Sequence, residues 1–197
     1  MPHSIQRKLI LASTSPYRRE LLSRLRLPFE VISPEVDESV KDLETPGQLA
    51  RRLSLEKALA VAHRYPEALV IGSDQVADLN GRPLGKPGNH DRAVQQLRLM
   101  RGHTVVFHTA VSVVCERIDY AQTDVALVSV VFRDLSDGEI ERYLRAETPY
   151  DCAGSAKSEG LGISLLDAIH NDDPSALVGL PLIRTARMLR AAGVELP

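Results

Sequence analysis

The order of apolar and polar residues along the chain predicts an alternation of strands and helices. Residues 9–12 are continuously apolar, as in a strand that is buried on both faces. Ser15 can cap a following helix, and Pro16 suits its first position, because the N–H that proline lacks would have no partner there. Three leucines follow at helical spacing, so residues 9–26 predict a strand, a tight turn and a helix.

Local signals mark the ends of several further elements. The capping-box spacing from Thr45 to Gln48 recurs from Ser136 to Glu139, so both segments are expected to open helices. Asn80-Gly81 is typical of a hairpin turn. Further strands are predicted at 29–32, 68–76, 104–115 and 125–132, and further helices at about 45–64, 91–100, 136–146 and 180–192.

Two of these segments bear on function. The strand at 68–76 is predicted to end at Gly72-Ser73-Asp74-Gln75, and strand ends in open sheets are common ligand sites. The segment 154–162 contains three glycines and is predicted to be a loop.

The two strands in the middle of the chain decide the fold class. They are rich in Val and Thr and are expected to pair antiparallel, joined around 116–122. We therefore predict an α/β fold with a mixed sheet flanked by helices, rather than a purely doubly wound sheet. No linker or repeat interrupts the sequence, so residues 1–197 are expected to form a single domain.

Composition narrows the classes of partner. Apolar residues make up 44% of the 197 and charged residues 25%, as in an ordinary globular protein. The net charge of −2, without any run of Lys or Arg, argues against long nucleic acid as a partner. No apolar stretch reaches the ~18 residues of a membrane span, and two isolated cysteines form neither a disulfide framework nor a zinc site. A cytoplasmic location without membrane contact is expected.

Six short segments carry residues that could take part in chemistry. Each also has an ordinary explanation, such as a helix cap, a solvated helix lysine, an acidic surface loop or a turn. Together they combine hydroxyls and cations at turns with carboxylates in loops, which is the inventory for binding a metal-bound polyphosphate. The segments are 13–19, Asp37-Glu38, Glu56-Lys57, Gly72-Ser73-Asp74-Gln75, Gly85-Lys86-Pro87-Gly88 and 153–160.

Taken in order, these segments resemble the Maf family of nucleotide pyrophosphatases. The resemblance implies a Maf/inosine-triphosphatase-like fold, in which an elongated twisted sheet forms two lobes with the active site in the cleft between them. It also implies hydrolysis of a nucleoside triphosphate to the monophosphate and pyrophosphate, a divalent cation (Mg²⁺ or Mn²⁺) and a homodimer. The matching motifs are Leu11-Ala12-Ser13-Thr14-Ser15-Pro16, Pro34-Glu35-Val36-Asp37-Glu38, Glu56-Lys57-Ala58, Gly72-Ser73-Asp74, Gly85-Lys86-Pro87, Cys152-Ala153-Gly154-Ser155 and Gly179-Leu180-Pro181.

The same resemblance implies roles for single residues. Attack on the α-phosphorus places negative charge on phosphate oxygens, which cationic side chains and a metal would stabilise. Asp74 also matches the proposed proton acceptor of the family, so its role as base or as metal ligand stays open. The implied positions are Ser13 and Arg18 for phosphate binding, Lys57, Lys86 and Asp74 for catalysis, and Glu38 and Asp74 for the metal.

Three further positions bear on the base. Tyr17, Gln75 and Glu159 resemble the family branch that acts on 7-methyl-GTP, although that branch usually has Trp where this chain has Tyr17. N7-methylguanine is a cation, and an aromatic face attracts a cation by ~0.5–2 kcal/mol. A carboxylate such as Glu159 can accept hydrogen bonds from N1 and N2 of guanine, whereas uracil offers a single ring N–H.

Two alternatives stay open on the sequence alone. The chain could hydrolyse dTTP and UTP, as another branch of the family does, since only three residues argue for the methylated purine. It could instead be a non-catalytic regulator of cell division, the effect from which the family name derives. The presence of every charged motif position favours catalysis over a purely regulatory role.

Overall fold

The structure is a computed structural model that describes residues 7–197. Strands and helices alternate along this part of the chain. The strands are β1 (Leu9–Ala12), β2 (Glu30–Ile32), β3 (Leu69–Leu79), β4 (Arg82–Leu84), β5 (Thr104–Cys115), β6 (Tyr120–Phe132) and β7 (Leu166–His170). The α-helices are α1 (Pro16–Ser23), α2 (Pro46–Ala62), α3 (His90–Met100), α4 (Asp137–Glu147) and α5 (Leu182–Ala191).

The strands form one mixed sheet in the order β2-β1-β3-β5-β6-β7, and β4 pairs with β3. The pairs β1–β2 and β1–β3 are parallel, and the remaining pairs are antiparallel. This confirms the predicted α/β class with a mixed sheet, in which β5 and β6 form the expected antiparallel pair. Within residues 7–197, no helix has both the length and the apolar character needed to cross a membrane.

The helices cover the two faces of the sheet unequally. On one face, α2 packs Ala58 and Val61 against Ile10 and Val70 of β1 and β3. The opposite face carries the other four helices of the described chain in two groups. There, α1 and α5 pack on β1, β3 and β5, whereas α3 and α4 pack farther along β5 and β6.

Two strands share one edge of β3. The parallel partner β1 ends at Ala12, opposite Gly72, and the antiparallel partner β4 begins its pairing at Ala77. The other edge of β3 pairs with β5 from Val70 to Asp78. Residues 73–76 therefore have one edge that neither β1 nor β4 covers, and we call this stretch the open edge of β3.

The predicted end of the third strand is wrong. Asp74 lies in the middle of β3, which continues to Leu79. The strand continues because β5 stays paired with it, and only β1 ends at this level. The functional expectation that rested on a strand end still holds in part, since Asp74 lies just beyond the carboxyl end of β1.

Local turn and cap signals are mostly confirmed. Thr45 and Ser136 each accept a hydrogen bond from the backbone N–H three residues on, and both capping boxes are complete. Asn80 and Gly81 both have positive φ, as a tight hairpin between β3 and β4 requires. The link between β5 and β6 is shorter than predicted, because β6 already begins at Tyr120.

Gly72 allows α2 to lie unusually close to β3. A Cβ atom at this position would lie 2.2 Å from the carbonyl oxygen of Ser54 and 2.6 Å from the amide nitrogen of Ala58. Only glycine fits such an approach without displacing the backbone of the helix. The contact fixes the distance between Lys57, on α2, and Asp74, on β3.

Candidate active site

A cavity of about 570 Å³ lies at the open edge of β3. It is bounded by the β1–α1 turn, α2, the β3–β4 hairpin and two loop segments near 151–159 and 177–179. Its lining includes Leu84 of the core under α3 and α4, and Val178, which packs against the core under α1 and α5. Its lining includes every site residue predicted from the sequence: Ser13, Tyr17, Arg18, Glu38, Lys57, Asp74, Gln75, Lys86 and Glu159.

The β1–α1 turn forms one wall of the cavity. Ser15 caps α1 by accepting a hydrogen bond from the backbone N–H of Arg18, and buried Ser13 accepts one from the N–H of Ser15. Arg18 donates from Nε to the carbonyl oxygen of Gly179 at 2.8 Å. Burial lowers the pKa of Arg18, and the charges of Asp74 and Glu38 partly offset this effect. A helix start with a fixed arginine is well suited to bind phosphate.

Lys57 joins two carboxylates on the α2 side of the cavity. Its Nζ lies 2.7 Å from Glu38 Oε1 and 2.7 Å from Asp74 Oδ1. The lysine is only 5% exposed, so the expectation of a solvated helix lysine does not apply. Asp74 faces this side because side chains alternate along β3, and Gly72, two residues earlier, faces α2 as well.

The two carboxylates fit a divalent cation. Because each accepts from the same ammonium group, their oxygens lie no farther apart than twice 2.7 Å. Mg²⁺ is commonly held by one or two carboxylates together with substrate phosphates and water. Among the described residues no group of three or more His, Cys, Asp or Glu could hold a metal, so phosphate or water would complete this site.

Glu38 lies in the segment between β2 and α2, and its charge is maintained by three cations. Partial burial alone raises the pKa of Glu38, but the hydrogen bond and charge of Lys57, with the charges of Lys86 and Arg18, hold it below its ordinary value. Lys86 is exposed in the loop that follows β4, on the cavity wall. Glu38 is therefore ionised at neutral pH and available to a cation.

Arg52 of α2 fastens the segment that carries Glu38. Its guanidinium donates to both oxygens of Glu44, at 2.6 and 2.8 Å, and to the carbonyl oxygen of Ser39 at 2.8 Å. It also donates to Glu56 at 2.9 Å. The hydrogen bond from Arg52 lowers the pKa of Glu44 to about 2. The sequence analysis did not single out Arg52, although it lies only five residues before Lys57 in the chain.

Gln75 lies on the opposite face of the sheet from Asp74. Its amide nitrogen donates to Thr109 Oγ1 and to the carbonyl oxygens of Ala176 and Leu177, at 2.9 to 3.0 Å. These contacts fix the orientation of the amide, so that Oε1 is the group left to contact a ligand. Gln75 and Asp74 can line the same cavity because the cavity lies at the open edge of β3, where both faces of the strand are accessible.

Tyr17 and Glu159 lie on the far side of the same cavity. Tyr17 is half-buried, and its hydroxyl donates to Asp151 at 3.4 Å. Burial and the negative charges nearby raise the pKa of Tyr17. Burial also raises the pKa of neighbouring Cys152 to about 12, so this thiol stays protonated and unreactive. Glu159 is exposed at the rim, with Ser158 as its hydrogen-bond partner at 3.4 Å.

The sequence analysis missed an ion pair beside Tyr17. Lys157 Nζ lies 3.2 Å from Glu147 Oε1 and 5.5 Å from the centroid of the Tyr17 ring. Glu147 is the last residue of α4, where the helix dipole disfavours a carboxylate. That unfavourable placement is a sequence signal that could have pointed to a tertiary partner.

Comparison with known proteins identifies the family. The model of the Maf-like protein family matches residues 8–192. The chain belongs to this family. Maf-like relatives include proteins named 7-methyl-GTP pyrophosphatase from Albidiferax ferrireducens and Polaromonas sp.. The first is 68% identical over 99% of this chain and 98% of its own length, and the second is 70% identical over 96% and 87%.

A third Maf-like relative extends the comparison to lower identity. The protein named 7-methyl-GTP pyrophosphatase from Aromatoleum aromaticum is 60% identical over 96% of this chain and 98% of its own length. The resemblance drawn from the ordered motifs is thereby confirmed at the level of the family.

Proposed function

We propose that this Maf-like protein hydrolyses 7-methyl-GTP to 7-methyl-GMP and pyrophosphate, and so removes a modified nucleotide from the pool. The observation that carries the proposal is one cavity that reaches both faces of β3. Asp74 lines it on the side of Lys57 and Glu38, and Gln75 lines it on the other face. Relatives that bear this activity in their names match the chain over nearly its whole length. We further propose that the protein acts in the cytoplasm, where its nucleotide substrate is found.

The phosphate half carries the charges that hydrolysis needs. Arg18, Lys57 and Lys86 line the cavity and can stabilise negative charge that develops on phosphate oxygens. Asp74 binds Lys57 through Oδ1, and its Oδ2 accepts no hydrogen bond from the described residues. That free oxygen can orient a water molecule and take its proton.

A divalent cation completes this half of the proposal. Glu38 and Asp74 are the residues that would hold Mg²⁺ or Mn²⁺. When bound, the cation would supply positive charge to the triphosphate and acidify a nearby water molecule. Lys57 holds both carboxylates close together through its two short contacts.

The base half suits a ring that is cationic and rich in hydrogen-bond donors. Tyr17 offers an aromatic face, and Glu159 supplies a carboxylate at the rim. Because Gln75 commits its nitrogen to the 176–177 carbonyls and Thr109, it offers an oxygen acceptor to the base. Two acceptors match the N1 and N2 donors of guanine better than the single ring N–H of uracil.

The first test is pyrophosphate release from a nucleotide panel with Mg²⁺ or Mn²⁺. The panel holds 7-methyl-GTP, GTP, dTTP, UTP, CTP and ATP, and Asp74→Asn is the inactive control. We expect 7-methyl-GTP to be cleaved fastest, with activity lost in the control and after chelation of the metal.

The alternatives give different results in the same panel. Faster cleavage of dTTP or UTP would retain the enzyme class and overturn the base assignment to Tyr17, Gln75 and Glu159. Absence of cleavage with either metal would favour the non-catalytic regulator of cell division. The homodimer stays a prediction, and sedimentation of the full chain would test it.

A further inference from the structure

Lys157 lies over the aromatic ring that the base is proposed to use. Its Nζ lies 5.5 Å from the centroid of the Tyr17 ring, within the distance at which the ring attracts a cation. Tyr17 lines the cavity, and Lys157 lies in the chain between Ala156 and Glu159, which also line it. The side chain of Lys157 is 28% exposed. In this structure the ring therefore already has a cation, supplied by the protein itself.

The position of Lys157 is held by Glu147. One oxygen of Glu147 lies 3.2 Å from Lys157 Nζ, and the other accepts a hydrogen bond from the backbone N–H of Leu161 at 2.7 Å. The hydrogen bond to Glu147 raises the pKa of Lys157, and the charge of Glu159 adds to this effect. The side chain is thus charged at neutral pH and within the influence of the carboxylate proposed to bind the base.

The backbone around Lys157 leaves the side chain as the part that can move. A Cβ at Gly162 would lie 2.5 Å from the carbonyl oxygen of Lys157, so the chain is tightly packed there. The backbone N–H of Lys157 also donates to Tyr143 at 3.0 Å. By contrast, the ammonium group has one carboxylate partner among residues 7–197, Glu147, and rotation about its side-chain bonds can release the ring.

We propose that Lys157 is a placeholder for the cationic base: its ammonium covers Tyr17 in the free protein and leaves the ring when 7-methylguanine takes that face. This inference rests on the proposed function. Binding then exchanges one cation for another, and the same lysine returns as the product leaves. Lys157 therefore weakens the binding of the methylated product and favours turnover over retention.

The test measures binding of the products 7-methyl-GMP and GMP by calorimetry to wild type and Lys157→Met. Removal of the competing charge should tighten 7-methyl-GMP binding about three- to tenfold, the range of a partly exposed cation–π contact, with a smaller change for GMP. Lys157→Arg keeps a cation that can stack and should stay within about twofold of wild type.

A matched control exists elsewhere in the chain. Lys8 lies 5.5 Å over the ring of Tyr65 and 2.7 Å from Glu30, outside this cavity. Lys8→Met removes an equivalent contact and should leave both affinities unchanged.

The outcomes separate the two proposals. Equal or weaker binding of 7-methyl-GMP to Lys157→Met would overturn the placeholder. Equal affinity of wild type for 7-methyl-GMP and GMP would overturn the base assignment instead.

Nuclear magnetic resonance provides a second test of the exchange. The side-chain methylene protons of Lys157 should show a ring-current shift from Tyr17, and binding of 7-methyl-GMP should abolish it. A shift that persists in the complex would contradict the exchange.

Discussion

At the scale of single residues, Lys57 combines two effects that oppose each other. Its ammonium lies between Glu38 and Asp74, so it neutralises the oxygens that a divalent cation would use. The same charge lies on the cavity wall, where it can stabilise a developing phosphate anion. The residue is therefore expected to weaken metal binding in the absence of substrate while it supports catalysis.

Replacement of Lys57 by Met tests this opposition. The variant should lose at least about 100-fold in kcat, because one charge that stabilises the transition state is gone. It should bind Mn²⁺ more tightly without nucleotide, because the carboxylates lose their competitor. Steady-state rates and Mn²⁺ titration measure the two effects, with the exposed Lys41→Met as control. Weaker Mn²⁺ binding would show that the carboxylates need Lys57 for their placement.

Replacement of Glu159 by Gln tests base recognition. The amide keeps one acceptor oxygen but loses the charge, so we expect the preference for 7-methyl-GTP over UTP to fall about tenfold, equivalent to about 1.4 kcal/mol. Relative kcat/KM values across the nucleotide panel measure the change. Relative values identical to those of wild type would remove Glu159 from the specificity set.

At the scale of elements, α2 positions the charged residues on its side of the cavity. It carries Lys57, and its Arg52 holds the preceding segment through Glu44 and Ser39. Glu38 belongs to that segment, so its position depends on these contacts of Arg52, which we call the Arg52 clamp. An ion pair with the side chain of Glu44 only 8% exposed is less screened than a surface pair.

The pH dependence of stability in Glu44→Gln should reveal the Arg52 clamp. Arg52 lowers the pKa of Glu44 from 4.5 to about 2, so ionised Glu44 stabilises the fold. This contribution is complete above about pH 4.5 and is lost as the pH falls toward about 2. The variant should therefore melt below wild type at pH 7, and the difference should vanish in strong acid. The exposed Glu20→Gln, which removes a surface pair with Arg24, should show no such trend.

Gly72→Ala should separate α2 from β3. The added Cβ would meet backbone atoms of α2 at 2.2 and 2.6 Å, and backbone yields less readily than a flexible side chain. We expect a loss of about 1–3 kcal/mol or more in the free energy of unfolding, with a lower kcat as Lys57 moves from Asp74. Gly85→Ala, where a Cβ meets nothing within 4 Å, is the control for folding. Equal denaturation midpoints of the two variants would contradict the close approach.

Elements with local signals could be predicted from the sequence, and those that depend on distant partners could not. The helices that begin after Thr45 and Ser136 follow from their capping boxes. The strand β7 was missed because it is short, partly exposed and paired only with β6. The extent of β3 was misjudged because β5, about forty residues later in the chain, determines how far it continues.

The candidate site shows the same division between features that the sequence predicts and features that depend on distant partners. Motif positions such as Asp74 and Lys86 follow from ordered resemblance, and the cavity brings them together. The contacts of Arg52 with Glu44 and of Lys157 with Glu147 join residues whose pairing has no sequence motif. Such supporting pairs depend on how helices and loops meet in three dimensions.

At the scale of the whole molecule, the cavity links two parts of the core across the open edge of β3. Under the proposed function, a ligand with both a base and phosphates should contact both faces of the sheet, whereas pyrophosphate should contact the α2 side alone. At equal concentration, a non-hydrolysable 7-methyl-GTP analogue should therefore raise the melting temperature more than pyrophosphate or 7-methylguanosine does.

The expected size of this shift follows from mass action. An analogue at a hundredfold excess over its Kd stabilises the protein by about 2.7 kcal/mol, as differential scanning fluorimetry can detect. If pyrophosphate alone gave the full shift, the base would contribute nothing to holding the two parts together.

The alternation of Asp74 and Gln75 on β3 has a consequence for how such a protein can change. Neighbouring side chains on a strand point to opposite faces, so one peptide bond separates the proposed hydrolytic wall from the wall proposed to read the base. Replacements on the reading side leave the charged groups and their spacing intact. Substrate choice can therefore diversify as a module, while the machinery that breaks the phosphoanhydride is inherited unaltered.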